Sequence, residues 1–466
     1  MGACVIRPTL PTVTAVRADA PDTSSVVAST ALLTDHYELT MLEAALRSGA
    51  ANRRSVFEVF ARRLPEGRRY GVTAGTGRLL EALTRFVFED DELVALERSR
   101  VVGPETLRWL AGYRFGGDVW GYGEGEVFVP GSPLLVVEGT FAEAVLLETL
   151  ALSILNHDCA IAAAASRMTV AAQGRPCMEM GSRRTHEEAA VAAARAAYVA
   201  GFAGTSNLEA GRRYAIPTVG TSAHAFTLLH DDERAAFAAQ VATLGPGTTL
   251  LVDTYDVTEG VRIAVEVAGR QLGAVRLDSG DLLEQAYAVR AQLDRLGALS
   301  TRIVVTSDLD EYQIAALAAG PVDSYGVGTS LVTGSGAPTA GLVYKLVARE
   351  GAGGELIGVA KRSHDKISIG GRKWALRRRG TDGIAQAEVI GIGHEPLDDG
   401  DDRSLLVRLV ERGEVVGAEP IEAARARHAG SVAELPGTGR QLSRGEPAIP
   451  TVLEPPPARA GDAARA

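Results

Sequence analysis

The middle of the chain carries seven short apolar runs, each followed by a stretch with helical spacing. This series constrains the fold more than any other feature. The runs are "PCMEMGS" near Met178, "GFAGTSN" near Ala203, "AIPTVGT" near Val219, "TTLLVDTYD" near Val252, "GAVRLDSGD" near Leu277, "RIVVTSDLD" near Val305 and "DSYGVGTSLV" near Val327. Continuous apolar strands alternating with helices need cover on both faces of a sheet, which is the property of a parallel sheet. So many units in succession point to a barrel, with a doubly wound open sheet as the alternative.

The ends of the runs carry a second pattern. Each closes in small, polar or charged residues: Glu179 and Arg183; Thr205 and Ser206; Thr221 and His224; Asp253 and Asp256; Arg276, Asp278 and Asp281; Ser307 and Asp308; Gly328, Thr329 and Ser330. In a parallel barrel these ends meet at one mouth, where such folds place their chemistry. Strand ends are polar in any fold because loops follow them, so a single cluster has an equally plain explanation. "VRLDSGD" fits that explanation less well. Arg276 and Asp278 stand two apart, on one side of a strand, and a buried ion pair adds little net stability. An arginine there can grip a planar carboxylate or stack on a ring. Asp278 or Asp281 can offer negative charge to a cationic transition state or to Mg²⁺.

Three further stretches each have two readings. "YGVGTSLV" sets Gly328, Thr329 and Ser330 at a strand end, as a phosphate cradle or as an ordinary glycine turn. "GSRRTHEEAA" joins Arg183 and Arg184 to a helix start, with Thr185 and Glu188 at capping-box spacing. It suits an anion, or simply a capped helix with solvated arginines. "GTSAHAF" holds His224 with no nucleophile elbow and no second histidine at i+4, which argues against a serine triad and against metal ligation. Taken alone, it reads as a histidine that fills space.

The rest of the chain frames this region. Residues 1–28 are expected to be a disordered tail. Residues 29–145 are expected to form a small α+β domain, starting with a helix capped by Thr34 or Asp35 and ending near Gly49. "RSVFEVFARRL" follows as a strand with one wet face. The barrel is expected over 146–345, C-terminal strands and a helix packing back on the smaller domain over 346–435, and a Pro/Ala-rich tail over 436–466. The net charge of -10 argues against nucleic acid. No charge-free apolar run reaches the about 18 residues of a membrane span. The three cysteines, Cys4, Cys159 and Cys177, have no metal or disulfide spacing, which fits free thiols in a reducing cytoplasm.

The motifs "LLTDHYELTM", "FEVFARRLPEGRRYGV", "EMGSRRTHEEAA", "GTSN", "GTSAHAF", "LVDTYD", "VRLDSGDL", "TSDLDE" and "YGVGTSLVT…GLVYKLV" occur in an order that closely resembles nicotinate phosphoribosyltransferase, over roughly residues 30–390. The resemblance implies an incomplete TIM-like α/β barrel plus a smaller α+β domain built mainly from the N-terminal part. It implies synthesis of nicotinate mononucleotide and pyrophosphate from nicotinate and phosphoribosyl pyrophosphate, coupled to ATP hydrolysis, as the first step of NAD salvage. ATP is then a co-substrate, Mg²⁺ arrives with phosphoribosyl pyrophosphate and ATP rather than at a protein-only metal site, and a cytoplasmic homodimer shares its active sites. By the same resemblance His224 is the residue that ATP phosphorylates, and Asp278 offsets charge at the ribose. Thr221 and Tyr37 contact nicotinate, Tyr37 from the second subunit. Arg276 holds the ring and its carboxylate, Gly328, Thr329 and Ser330 cradle phosphate, and Arg183 faces the substrate phosphates. The related nicotinamide enzyme carries an aspartate where Ser206 stands, and a neutral donor suits a carboxylate better than an acid does. Lys361, Ser363, Lys366 and Lys373 resemble the family's basic stretch, which reads equally as a contact to nucleotide phosphates or as a solvated β-hairpin. Three other readings compete: a nicotinamide enzyme, a catalytically dead nucleotide-binding relative, and a barrel aldolase. The aldolase would need a Schiff-base lysine at a strand end, and no barrel run before Lys345 offers one.

Overall fold

The computed structural model describes residues 28–361 and 369–454. The expected N-terminal tail up to residue 27, Ser363, Lys366 and the end from residue 455 lie outside the described residues. Six of the seven apolar runs form one parallel sheet, in the order Gly204–Thr205, Cys177–Glu179, Ser324–Val327, Arg302–Val305, Ala274–Leu277, Thr249–Leu251. The sheet curls but does not close, which makes it the expected incomplete barrel. Its strands bury Cys177, Leu250, Val275, Leu277, Ile303, Val305, Tyr325 and Val327 in one core with helix residues such as Ala193, Val261, Ala286 and Ile314. The continuous apolar runs are explained by that two-sided cover.

The seventh run, "AIPTV", is not a strand. It makes a single bridge, Thr205 with Thr218. Thr205 N donates to Pro217 O at 3.0 Å and Val219 N to Thr205 O at 2.9 Å. Pro217 has no N–H to extend the ladder, and the chain leaves the sheet to lay Thr221–His224 at the mouth.

The smaller domain is built on a seven-stranded antiparallel sheet, ordered Leu356–Gly358, Leu342–Glu350, Arg54–Ala61, Leu135–Thr140, Asp118–Tyr122, Leu406–Glu411, Glu414–Val415. Three expectations are corrected here. Arg54–Ala61 has no wet face: every residue after Arg54 is buried, because Phe57, Val59 and Ala61 enter the main core of the smaller domain on one face and Val56 packs in a separate apolar cluster on the other. Its Glu58 meets Lys373 Nζ at 2.6 Å, so Lys373 is held inside the fold rather than free for nucleotide phosphates. Leu342–Glu350 pairs with Arg54–Ala61, so the barrel ends before residue 345. The first helix forms as expected over His36–Ser48, with Asp35 at its N-cap and Gly49 left-handed at φ 74°.

The helix Glu148–Ala171 ties the two parts together. Its first half puts Leu150, Ile154 and Cys159 into the core of the smaller domain, and its second half puts Ile161, Ala165 and Met168 into that of the barrel. Asp158, fully buried on it, accepts from Arg78 Nη1 at 2.8 Å and pairs with His157 Nδ1 at 2.8 Å. Burial opposes its ionisation, but His157 and Arg78 more than offset this and hold its pKa below the usual carboxylate range.

The helix Ile421–Glu434 packs both on the barrel helix Glu187–Val199 and on the strand Val127–Phe128, with Arg425 donating to the Tyr198 and Phe202 carbonyls and Ser431 Oγ accepting from Val127 N at 3.0 Å. The strands Leu356–Gly358, Leu406–Glu411 and Glu414–Val415 join the sheet of the smaller domain. The supposed tail from residue 436 is part of the fold as far as residue 454, where Thr451–Glu454 pairs in parallel with Ala385–Ile392. Backbone pairing, which composition does not reveal, holds it there. No helix among the described residues is long and apolar enough to cross a membrane.

Candidate active site

The carboxyl ends of the parallel strands bring most of the expected residues together. Arg276, one residue before the end of its strand, directs Nη1 to Thr221 Oγ1 at 3.2 Å and to the Ser222 carbonyl at 3.1 Å. Its Nε is buried and has no partner. Burial lowers the pKa of the guanidinium, the nearby charges of Asp278 and Asp253 raise it, and that of Arg183 lowers it further. Arg183 is itself exposed. The mouth therefore holds a cation whose hydrogen bonds go to neutral oxygens, which leaves its charge for an anionic guest.

His224 is the first residue of the short helix His224–Leu229. Its Nδ1 lies 3.1 Å from Thr254 Oγ1, and its Nε2 lies 3.9 Å from Asp278 Oδ2. If Nδ1 carries the hydrogen and donates it to Thr254, the Nε2 lone pair is left facing the mouth. Asp278 is held from two sides. Its backbone N donates to Asp253 Oδ2 at 2.8 Å, and its Oδ1 accepts from the Thr306 hydroxyl. Ser307, directly after Thr306, has φ +121°, a conformation that costs a non-glycine residue on the order of 1–3 kcal/mol and persists where surrounding structure enforces it.

Glu179 is fully buried at the end of its strand. Its carboxylate accepts from Gly181 N and from the Thr205 hydroxyl, and its carbonyl accepts from Ser206 N at 2.8 Å. Burial pushes its pKa up, against the Thr205 and Gly181 hydrogen bonds. Gly328, Thr329 and Ser330 open the short helix Thr329–Val332, a place where unpaired backbone N–H groups collect.

Two expected residues stand apart. Asp281 accepts from Glu284 N at 3.1 Å and caps the helix Leu282–Arg295, so its side chain is occupied by the fold. Tyr37 lies in the smaller domain, 43% exposed. Its pKa is pushed up to about 12, first by burial and then by Glu148 and Glu38. Its neighbours in its own chain include those acids. The expected capping box at Thr185 is corrected as well: His186 is the N-cap of Glu187–Val199, its Nδ1 accepting from Glu188 N at 3.3 Å.

Sequence reasoning gave no role to Thr254 or Thr306 and none to the contacts of Glu179 or Asp253. Each does stand at a run end, which was the available signal. Among the described residues, the carboxylates clustered closely enough to hold a metal ion are Asp398, Asp399 and Asp402, in a loop of the C-terminal sheet rather than at the mouth.

The chain matches the model of the nicotinate phosphoribosyltransferase N-terminal domain over residues 32–156 and that of the nicotinate phosphoribosyltransferase family over residues 176–373. The chain belongs to the nicotinate phosphoribosyltransferase family. It is an enzyme of that transferase family. It is 61% identical over 429 residues to nicotinate phosphoribosyltransferase pncB1 of Mycobacterium tuberculosis, covering 90% of this chain and 94% of the relative. It is 37% identical over 360 residues to the nicotinate phosphoribosyltransferase of Bacillus subtilis, covering 75% and 73%. The crystal structure of human nicotinic acid phosphoribosyltransferase superposes with a TM-score of 0.77 at 25% identity, covering 90% of this chain and 97% of that one.

Proposed function

We propose that this chain transfers the phosphoribosyl group of phosphoribosyl pyrophosphate to nicotinate, coupled to ATP through a phosphohistidine at His224. The observation that carries the reading is the pairing of Arg276 with Thr221 beside His224 and Asp278 at one barrel mouth. A guanidinium bound only to neutral acceptors suits a planar aromatic carboxylate. As the C1′–O bond to pyrophosphate breaks and the bond to the pyridine nitrogen forms, positive charge builds on the ribose. Asp278, held by Thr306 and Asp253, supplies a fixed negative charge there. Its free Oδ2 is also the kind of hard oxygen that suits the Mg²⁺ carried on the pyrophosphate. Arg183 and the Gly328–Ser330 turn are then the phosphate contacts.

In the coupled step His224 Nε2 takes the terminal phosphoryl group of ATP, ADP leaves, and water later releases phosphate. Support comes from the Thr254 contact: with Nδ1 donating to that hydroxyl, Nε2 keeps the lone pair that attacks. Ser206, neutral and exposed, favours nicotinate over nicotinamide. Tyr37 lies by Glu148 in its own chain; in this reading it reaches nicotinate from a second copy, and the working form is a homodimer with shared sites. The product is the nucleotide that opens NAD salvage from nicotinate, and the setting is the cytoplasm.

Purified chain given nicotinate, phosphoribosyl pyrophosphate and Mg²⁺ should release pyrophosphate, faster with ATP. Label from γ-labelled ATP should be acid-labile and absent from His224→Ala. Equal rates with nicotinamide would sink the substrate assignment, and label retained in His224→Ala would remove that residue from its role. Mixed Tyr37→Ala and Arg276→Ala chains should regain activity, and proven heterodimers without recovery would place each site within one chain.

A further inference from the structure

We propose that Glu179 is the positioning residue of this site: one buried carboxylate that keeps the loops after three neighbouring strands in mutual register. The inference rests on the function proposed above. Cys177–Glu179 lies between Gly204–Thr205 and Ser324–Val327 in the sheet, so loops of the mouth leave from its own end and from both neighbours.

Glu179 reaches two of these loops directly. One carboxylate oxygen accepts from Gly181 N and bends its own chain two residues before Arg183. The other accepts from the Thr205 hydroxyl, and the Glu179 carbonyl accepts from Ser206 N at 2.8 Å. Thr205 Oγ1 in turn accepts from Asn207 N at 2.9 Å, and Asn207 Nδ2 donates back to Ser182 Oγ at 3.1 Å. The ring of contacts thus closes between the Arg183 loop and the Ser206 loop.

The third loop is held by close packing. A Cβ on Gly181 would stand 2.3 Å from Val332 Cγ1 and 2.9 Å from the Gly328 carbonyl. Met180 N donates to Val327 O at 2.8 Å. A shift of Gly181 therefore moves the Gly328–Ser330 turn.

Stability is a poor motive for this carboxylate. Its donors are an amide and a hydroxyl rather than a cation, and a buried carboxyl without a counter-charge is costly. Chemistry also separates it from its amide isostere. Both oxygens of Glu179 receive hydrogens, whereas glutamine offers one oxygen and one NH₂. One of the two loop donors would then face another donor.

The test uses the full chain and the variant Glu179→Gln, with calorimetric binding of phosphoribosyl pyrophosphate, steady-state kinetics and urea unfolding. The Kd and KM for phosphoribosyl pyrophosphate should rise about tenfold or more, as expected for a misplaced buried donor. kcat should change less, the preference for nicotinate over nicotinamide should narrow, and the urea midpoint should stay near that of the parent. Constants within about twofold of the parent overturn the proposal. So does an activity loss that merely tracks the folded fraction with Kd unchanged. If Glu179→Gln does not fold, Thr205→Val and Thr205→Ser decide. Weakened binding in the valine variant with recovery in the serine variant supports the hub, and parent-like binding in both removes it. A parent that binds phosphoribosyl pyrophosphate without turnover sinks only the proposed activity, since the binding ratios still test Glu179. A parent that does neither sinks both.

Discussion

Lys373 and Arg276 are both strand cations drawn into the interior, one in the smaller domain and one in the barrel. Lys373 is neutralised: its Nζ meets Glu58 at 2.6 Å, with both side chains almost fully buried. The same holds for Arg377 with Glu388 at 3.0 Å. Arg276 spends Nη1 on a hydroxyl and a carbonyl and leaves Nε without a partner. The nearest approach between ionisable side chains at the mouth, His224 Nε2 to Asp278 Oδ2, is 3.9 Å. Where charges in the smaller domain satisfy one another they hold the fold. At the mouth they are held apart by neutral neighbours, which keeps them available to a ligand.

That contrast can be broken by experiment. The largest effect is expected from Lys373→Ala, which strips the counter-charge from buried Glu58 and should cost about 3–5 kcal/mol of stability. Urea unfolding reads that loss, and activity per folded molecule should stay near that of the parent. Arg276→Ala should do the reverse, lowering kcat/KM for nicotinate roughly 100-fold with a nearly unchanged urea midpoint. An exchange of signatures between these two variants would end the distinction.

Glu233 tests the barrel side by pH. Its pKa is pushed up to about 7 by burial and by Glu259, Asp253 and Asp256, from an ordinary 4.5. The folded chain therefore keeps a proton that the unfolded chain has already released over this range. The resulting stabilisation is complete below pH 4.5 and lost as pH rises towards about 7. Glu233→Gln should flatten that part of the stability profile, whose slope from one group is at most about 1.4 kcal/mol per pH unit. An identical slope in the variant would assign it to other groups. The smallest effect is expected from Thr254→Val, which removes the hydroxyl beside His224 Nδ1 and should slow phosphoryl labelling roughly 3- to 10-fold. Thr254→Ser should restore the rate, and a valine variant at the parental rate would free the tautomer argument from Thr254.

Much of the barrel was legible in the chain because a strand covered on both faces writes itself as a continuous apolar run. Leu277 and Val305 are fully buried, as such runs require. "AIPTV" has the same signature and failed, since Pro217 limits its pairing to one bridge. Arg54–Ala61 alternates like a half-exposed strand yet is buried on both sides, because Glu58 finds Lys373 315 residues away. The helix cap shifted from Thr185 to His186 for a local reason: an imidazole nitrogen can accept the N–H that a hydroxyl was expected to take.

The sequence by itself determined the family, the order of the barrel strands along the chain and the placing of Arg276 and Asp278 at a strand end. These depend on how a segment hides its own apolar side chains, which is a local property. Only the tertiary structure decided the partners: Thr254 on His224, Thr306 and Asp253 on Asp278, and Glu179 between two loops. It also decided that Asp281 is a helix cap and that Tyr37 lies beside Glu148 and Glu38 in its own chain. Hydrogen bonds need atoms within about 3 Å of one another, and the distances between loops of different strands are set by how the sheet curls, not by any spacing along the chain.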